Sequence, residues 1–217
     1  MKLSELNLNP LLYEVLSKNI EILRPSQEKA VKSGLLERKN LLVCTPTASG
    51  KTLIAEIAML QGIYNRIGKA VYIVPLKALA TEKYNEFKEK YKNIKIGLSI
   101  GDVDSADNFL DSYDLIVTVS EKLDSLIRHK ANFINKLATI IIDEIHLLND
   151  PTRGPTLEVV ITILKNLLTN AQFIGLSATI GNPKELADWL NANLVIDDWR
   201  PIELKKGIYF NGKIFYY

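Results

Sequence analysis

A chain of 217 residues, 47% hydrophobic and 24% charged, has the proportions of an ordinary globular protein and can bury a substantial core without disulfides or metals. Its 27 basic and 25 acidic residues leave a net charge of only +2, so overall charge argues for no nucleic-acid partner and any basic footprint must be local. One cysteine excludes an internal disulfide framework and fits a reducing compartment. With no signal pattern and no apolar run of spanning length, the cytoplasm is the expected location and no membrane partner is expected.

The first expected element is a helical stretch, Asn9–Asn19, leading into LRPSQEKAV (Leu23–Val31). Short apolar runs rich in β-branched residues then alternate with helical patterns. The candidate strands are Leu41–Thr45, Ala70–Val74, Ile94–Ile100, Asp114–Val119, Thr139–Asp143, Phe173–Ala178 and Asn193–Asp197. LIAEIAMLQGIYNRI, ALATEKYNEFKEKY and TLEVVITILKNLL supply helices between them. This alternation predicts an α/β domain: a doubly wound, mostly parallel sheet of about seven strands with helices on both faces. Right-handed crossovers would put the loops after the strands on one edge, where ligands bind in such sheets. The chain closes on GIYFNGKIFYY, a hairpin pattern around Asn211-Gly212. Its bare aromatic strand looks cut off from a larger sheet, which divides the chain into a domain at 1–200 and a hairpin or linker at 201–217.

Four motifs fall at strand ends or helix starts. TPTASGKT (Thr45–Thr52) ends as a phosphate-binding loop, although Thr45 stands where the strict pattern has glycine. Pro46, Thr47, Ala48, Ser49 and Gly50 would wrap an anion at a helix N-terminus. Lys51 would reach the outer phosphates of ATP, and the Thr52 hydroxyl would hold Mg²⁺. In DEIH, Asp143 suits the metal and Glu144 suits a general base toward water. SAT places Ser177 and Thr179 where they can bond His146, linking hydrolysis to the domain surface. Gln27 offers the donor and acceptor that match the N6/N7 edge of adenine. Each has a plainer reading: a chance G-K-T, acids or hydroxyls capping strand ends, a solvated glutamine. The four together, in this order, favour the chemical one.

That ordered set resembles the first, RecA-like P-loop NTPase motor domain of a superfamily 2 DExH-box helicase, and the resemblance spans nearly the whole chain. RGPTLE (Arg153–Glu158) and DWRP (Asp198–Pro201) place it nearest the ski-two-like branch, beside archaeal fork-processing DNA repair helicases. Relatives there commonly lack the first loop glycine, which accounts for Thr45. The resemblance implies ATP and Mg²⁺ as cofactors and single-stranded or forked DNA as partner, with RNA as the runner-up. It implies strand-backbone contacts at Lys77 of PLKAL, at Gly101 and Asp102, at Thr118 and Lys122 of TVSEKL, and at Arg153. In TVSEKL, Val119 stands where the family usually has proline. It further implies a second RecA-like domain and accessory domains as partners, so that this chain alone would hydrolyse ATP negligibly and would not unwind DNA. A self-sufficient P-loop kinase or ATPase is a weaker alternative, since it needs no DEIH–SAT pair. A non-catalytic nucleotide-gated module is weaker still, because Lys51, Asp143 and Glu144 are all present.

Overall fold

The computed structural model describes residues 1–101, 105–202, 205 and 207–216. All seven expected strands form, each within two residues of its expected limits: β1 (Leu41–Cys44), β2 (Lys69–Val74), β3 (Ile96–Ser99), β4 (Leu115–Val119), β5 (Leu137–Ile142), β6 (Gln172–Ser177) and β7 (Asn193–Ile196). They make a single sheet in the order β3-β4-β2-β5-β6-β1-β7, with every neighbouring pair parallel. The sheet is parallel because both faces are covered, and continuous apolar runs satisfy both faces at once. β1, β4, β5 and β6 are buried at every position.

One face carries α1 (Pro10–Ser17), α2 (Pro25–Lys32), α3 (Lys51–Tyr64) and α4 (Lys77–Lys90). Their Leu12, Leu16, Ala30, Ile54, Ile57 and Phe87 pack with the alternate strand residues Ala70, Tyr72 and Val74. The other face carries α5 (Ser120–Arg128), α6 (Gly154–Leu167) and α7 (Pro183–Leu190), against Val71, Ile73 and Ile140. Each fully buried Leu or Ile contributes roughly 1.5–3 kcal/mol relative to exposure. α3 is enclosed along Leu53–Leu60, apolar there except for Glu56, whose carboxylate pairs with Lys90 at 2.7 Å.

α5 and α7 are additions to the expected elements. Both are short, and the apolar stripe of the first is confined to Leu123, Leu126 and Ile127 within little more than one turn. α7 has local signals, a proline in its first turn and Asn191 in the left-handed region just past its end. The C-terminal hairpin also forms, from β8 (Gly207–Phe210) and β9 (Lys213–Tyr216). Asn211 and Gly212 have φ of 46° and 77°, the two positive values a tight hairpin turn requires. Among the described residues it pairs with no other strand, and Ile208, Tyr209, Phe210, Ile214, Phe215 and Tyr216 are all exposed.

Candidate nucleotide site

The loop after β1 meets the N-terminus of α3 at Lys51, where Leu53 N donates to Gly50 O at 3.2 Å and the helix's positive end lies at the loop. Thr45 is fully buried, and its hydroxyl shares a 2.7 Å hydrogen bond with the buried hydroxyl of Ser49. The side chain that replaces the customary glycine therefore turns inward and ties the loop across its base. Gly50 has φ 96°, and a Cβ there would lie 2.4 Å from Gln27 Nε2, so both conformation and space call for glycine. Ala48 also takes a positive φ, 64°.

α2 holds this loop from outside. Arg24 Nη1 donates to Ala48 O (2.8 Å), Ser26 Oγ to Ser49 O (3.4 Å) and Gln27 Nε2 to Gly50 O (3.1 Å). Three successive loop carbonyls are thus held by side chains at the start of α2. Gln27 is only 4% exposed, and its Oε1 accepts from Arg24 N at 2.8 Å. Both polar ends of that amide are occupied by the protein, so Gln27 acts here as a clamp on the loop, and reading an adenine edge would require it to change partners. Arg24 also lies 5.6 Å from the centre of the Trp199 ring, which brings the DWRP segment to the loop's rim.

A cavity of about 420 Å³ opens over the loop, lined by Thr47 through Thr52, Asp143 and Glu144, with Arg24 and Lys83 at its sides. A larger cleft, about 600 Å³, lies between α1 and the end of α4, where Glu14, Glu86 and Glu89 mix with Lys18, Lys90 and Lys92, and the phosphate-loop residues do not line it. Pro46 is buried beneath the loop. Lys51 Nζ donates to the carbonyls of Thr45 (2.7 Å) and Pro46 (3.2 Å). Burial lowers its pKa, while Glu144 and Asp143 oppose that shift, so the ammonium and both acids sense one another. Burial raises the Asp143 carboxyl, offset in part by Tyr72, Lys83 and Lys51. Tyr72 Oη donates to Asp143 Oδ2 at 2.9 Å, and Glu144 N donates to Oδ1 at 3.0 Å. Burial, reinforced by the Asp143 charge, holds the Tyr72 phenol well above its ordinary value, which keeps it a donor.

Glu144 sits in the left-handed region, φ 51° and ψ 46°, a strained conformation of the kind found where geometry serves chemistry. Its Oε2 is buried and makes no hydrogen bond, although His146 Nδ1 lies 3.3 Å away. The same nitrogen is 3.5 Å from Ser177 Oγ, so His146 stands between the acid and the end of β6. Thr179 is exposed beyond it.

The expected strand-contacting residues divide. Lys77 is exposed at the first turn of α4, Gly101 is exposed after β3, and Arg153 caps α6 half-buried; all three follow the carboxyl ends of strands. Thr118 and Lys122, by contrast, are buried. Thr118 is fully buried in a strand flanked on both sides and donates to Ser99 O at 2.7 Å, and Lys122 is 6% exposed on the inner face of α5. Asp102 lies outside the described residues. Tyr72, Arg24 and Lys83 escaped the sequence reading. Tyr72 reads only as a core aromatic in AVYIV, and nothing local points to it until β2 pairs with β5.

Loop, acids and strand order together define a P-loop nucleotide-binding domain of α/β class. The sequence model of the DEAD/DEAH box helicases matches residues 24–186, and the chain belongs to that family. It is 57% identical over 205 residues to the ATP-dependent DNA helicase Hel308 of Methanococcus vannielii, covering 91% of this chain and 27% of that protein. To the Hel308 of Pyrococcus abyssi it is 52% identical over 218 residues, covering all of this chain and 30% of the relative. The chain therefore spans less than a third of the length of these relatives. Among solved structures it resembles the DUF1998 helicase MrfA bound to DNA, with a TM-score of 0.75 and 28% identity over 88% of this chain and 30% of that one. A second MrfA structure, bound to DNA and AMPPNP, superposes equally well, with a TM-score of 0.75. Among the described residues no helix is long and apolar enough to cross a membrane.

Proposed function

We propose that this chain is the nucleotide-binding motor domain of an ATP-dependent DNA helicase. The observation that carries the reading is the convergence of Lys51, Thr52, Asp143 and Glu144 on one cavity at the sheet's carboxyl edge. The names of the Hel308 and MrfA relatives support ATP as the nucleotide and DNA, rather than RNA, as the strand. Residues 1–200 would form the motor domain and 201–217 a hairpin toward further domains, in keeping with the greater length of the relatives.

Among the described residues no cluster of three or more His, Cys, Asp or Glu could hold a metal by itself. That suits Mg²⁺, which takes one or two protein oxygens together with phosphate oxygens and water. Asp143 and the Thr52 hydroxyl are the oxygens available, and the ion would neutralise charge developing on the phosphates. Lys51 would leave the Thr45 and Pro46 carbonyls to bind a phosphate, exchanging two neutral acceptors for a charged one. Glu144, with an oxygen free of hydrogen bonds, would take the proton of the attacking water. His146 and Ser177 would report that event to the domain surface. Lys77, Gly101 and Arg153 would meet the strand backbone, with Lys77 also at a helix N-terminus favourable to phosphate.

Two substitutions in the full-length protein test the assignment. Lys51→Ala removes a charge-assisted bond and should weaken nucleotide binding roughly 10–100-fold, read by a fluorescent ATP analogue. Glu144→Gln should leave that affinity within about twofold and slow turnover roughly 10²–10⁴-fold. Normal hydrolysis by Glu144→Gln would remove Glu144 as base, and normal binding by Lys51→Ala would remove the site.

A further inference from the structure

Tyr72 is fully buried in β2, yet its hydroxyl does not end in the core: it donates to Asp143 Oδ2 at 2.9 Å. Its ring packs edge-on against Phe87 of α4, with centroids 5.2 Å apart, so the phenol is fixed from behind. The other oxygen of the same carboxylate accepts from Glu144 N at 3.0 Å, within the left-handed turn that aims Glu144 into the cavity. Asp143 N in turn donates to Ile73 O at 2.9 Å, which continues the β2–β5 pairing up to the site. One strand thus carries the hydroxyl, the neighbouring strand carries the carboxylate, and the carboxylate carries the turn.

Resting on the nucleotide-site reading above, we infer that Tyr72 is a positioning residue: its hydroxyl sets the rotation of the Asp143 carboxylate, and through the Glu144 N–H the orientation of the turn behind it. A carboxylate held on both oxygens keeps its remaining lone pairs in one direction, which is what a metal site with few protein oxygens requires. Partners behind a metal ligand typically account for roughly 10–100-fold in metal affinity. Tyr72 is fully buried and does not line the cavity, so its removal should act on metal binding and spare metal-free nucleotide binding.

The test uses Tyr72→Phe, which keeps the ring and deletes one atom. Mn²⁺ serves as the probe, titrated by electron paramagnetic resonance with AMPPNP at saturation; metal-free affinity is read separately with a fluorescent analogue. Tyr72→Phe should weaken Mn²⁺ about tenfold or more and leave metal-free affinity within about twofold. In an Asp143→Ala background it should weaken Mn²⁺ no further. Wild-type Mn²⁺ affinity in Tyr72→Phe, or an equal fall in metal-free affinity, would overturn the inference. Lys51→Ala separates the two levels: unchanged nucleotide affinity there overturns the site and the inference together. Loss of binding in Lys51→Ala beside wild-type Mn²⁺ affinity in Tyr72→Phe overturns the inference alone. Should Tyr72→Phe fail to fold, the unaltered Tyr72 decides by nuclear magnetic resonance. Its hydroxyl proton should exchange slowly with water and speed up in Asp143→Ala; unchanged exchange overturns the inference.

Discussion

Gly50→Ala is the sharpest probe of how the phosphate loop is built. An alanine at φ 96° enters the left-handed region, at roughly 1–2 kcal/mol. Its Cβ would also lie 2.4 Å from Gln27 Nε2, so the amide must swing away and give up its 3.1 Å bond to Gly50 O, about 1 kcal/mol more. The Arg24 side chain, with atoms 3.3 Å from that Cβ, leaves little room for the swing. Together these give about 2–3 kcal/mol, or roughly 4–12 °C in melting temperature for a domain of this size. Differential scanning calorimetry of the ligand-free chain reads it directly. Gly181→Ala is the control, because a Cβ there meets nothing within 4 Å and its φ is ordinary. A Gly50→Ala chain melting within about 2 °C of wild type would refute the strained-loop argument.

Two further predictions follow from buried groups at the same site. Thr45→Gly restores the glycine of the strict loop pattern but strands the buried Ser49 hydroxyl and loosens the backbone. It should lower stability by roughly 1–3 kcal/mol in denaturant melts, and an unchanged midpoint would contradict the inward role of Thr45. Asp143→Asn should stabilise the ligand-free domain at pH 7 while abolishing turnover. Burial raises the folded carboxyl above its unfolded value near 4, so its favourable contribution is complete below that value and is lost as pH rises through the folded pKa. At pH 7 the charged acid is a net liability, and the advantage of asparagine should shrink as melts are taken toward pH 4. A variant less stable than wild type at pH 7 would show that Tyr72 and the lysines outweigh burial.

The strands were legible because burial on both faces leaves continuous β-branched runs such as TIIID and AVYIV, which no helix of that length would need. Gly50, Lys51, Asp143 and Glu144 stood out for a related reason: the proposed phosphate and metal chemistry restricts residue type and spacing along the chain, and the fold brings all four to one cavity. Relations made only by tertiary pairing were not. Tyr72 looks like any core aromatic until β2 lies beside β5, and Lys83 looks like a solvated helix residue until α4 packs over the cavity. Thr118 and Lys122 differ in the opposite sense. Their types suit phosphate contact, but a strand enclosed on both sides and the inner face of α5 hold them inside. Gln27 is held in a related way, since an amide fit for adenine already bonds Arg24 N and Gly50 O within 3.1 Å.

The most direct test of the whole account is a crystal structure of this chain with Mg²⁺ and AMPPNP. The account predicts a phosphate oxygen about 3 Å from Lys51 Nζ, with Glu144 one water away from the terminal phosphorus. A nucleotide seated elsewhere, for instance in the cleft between α1 and α4, or one bound with Lys51 still on the Thr45 and Pro46 carbonyls, would contradict it.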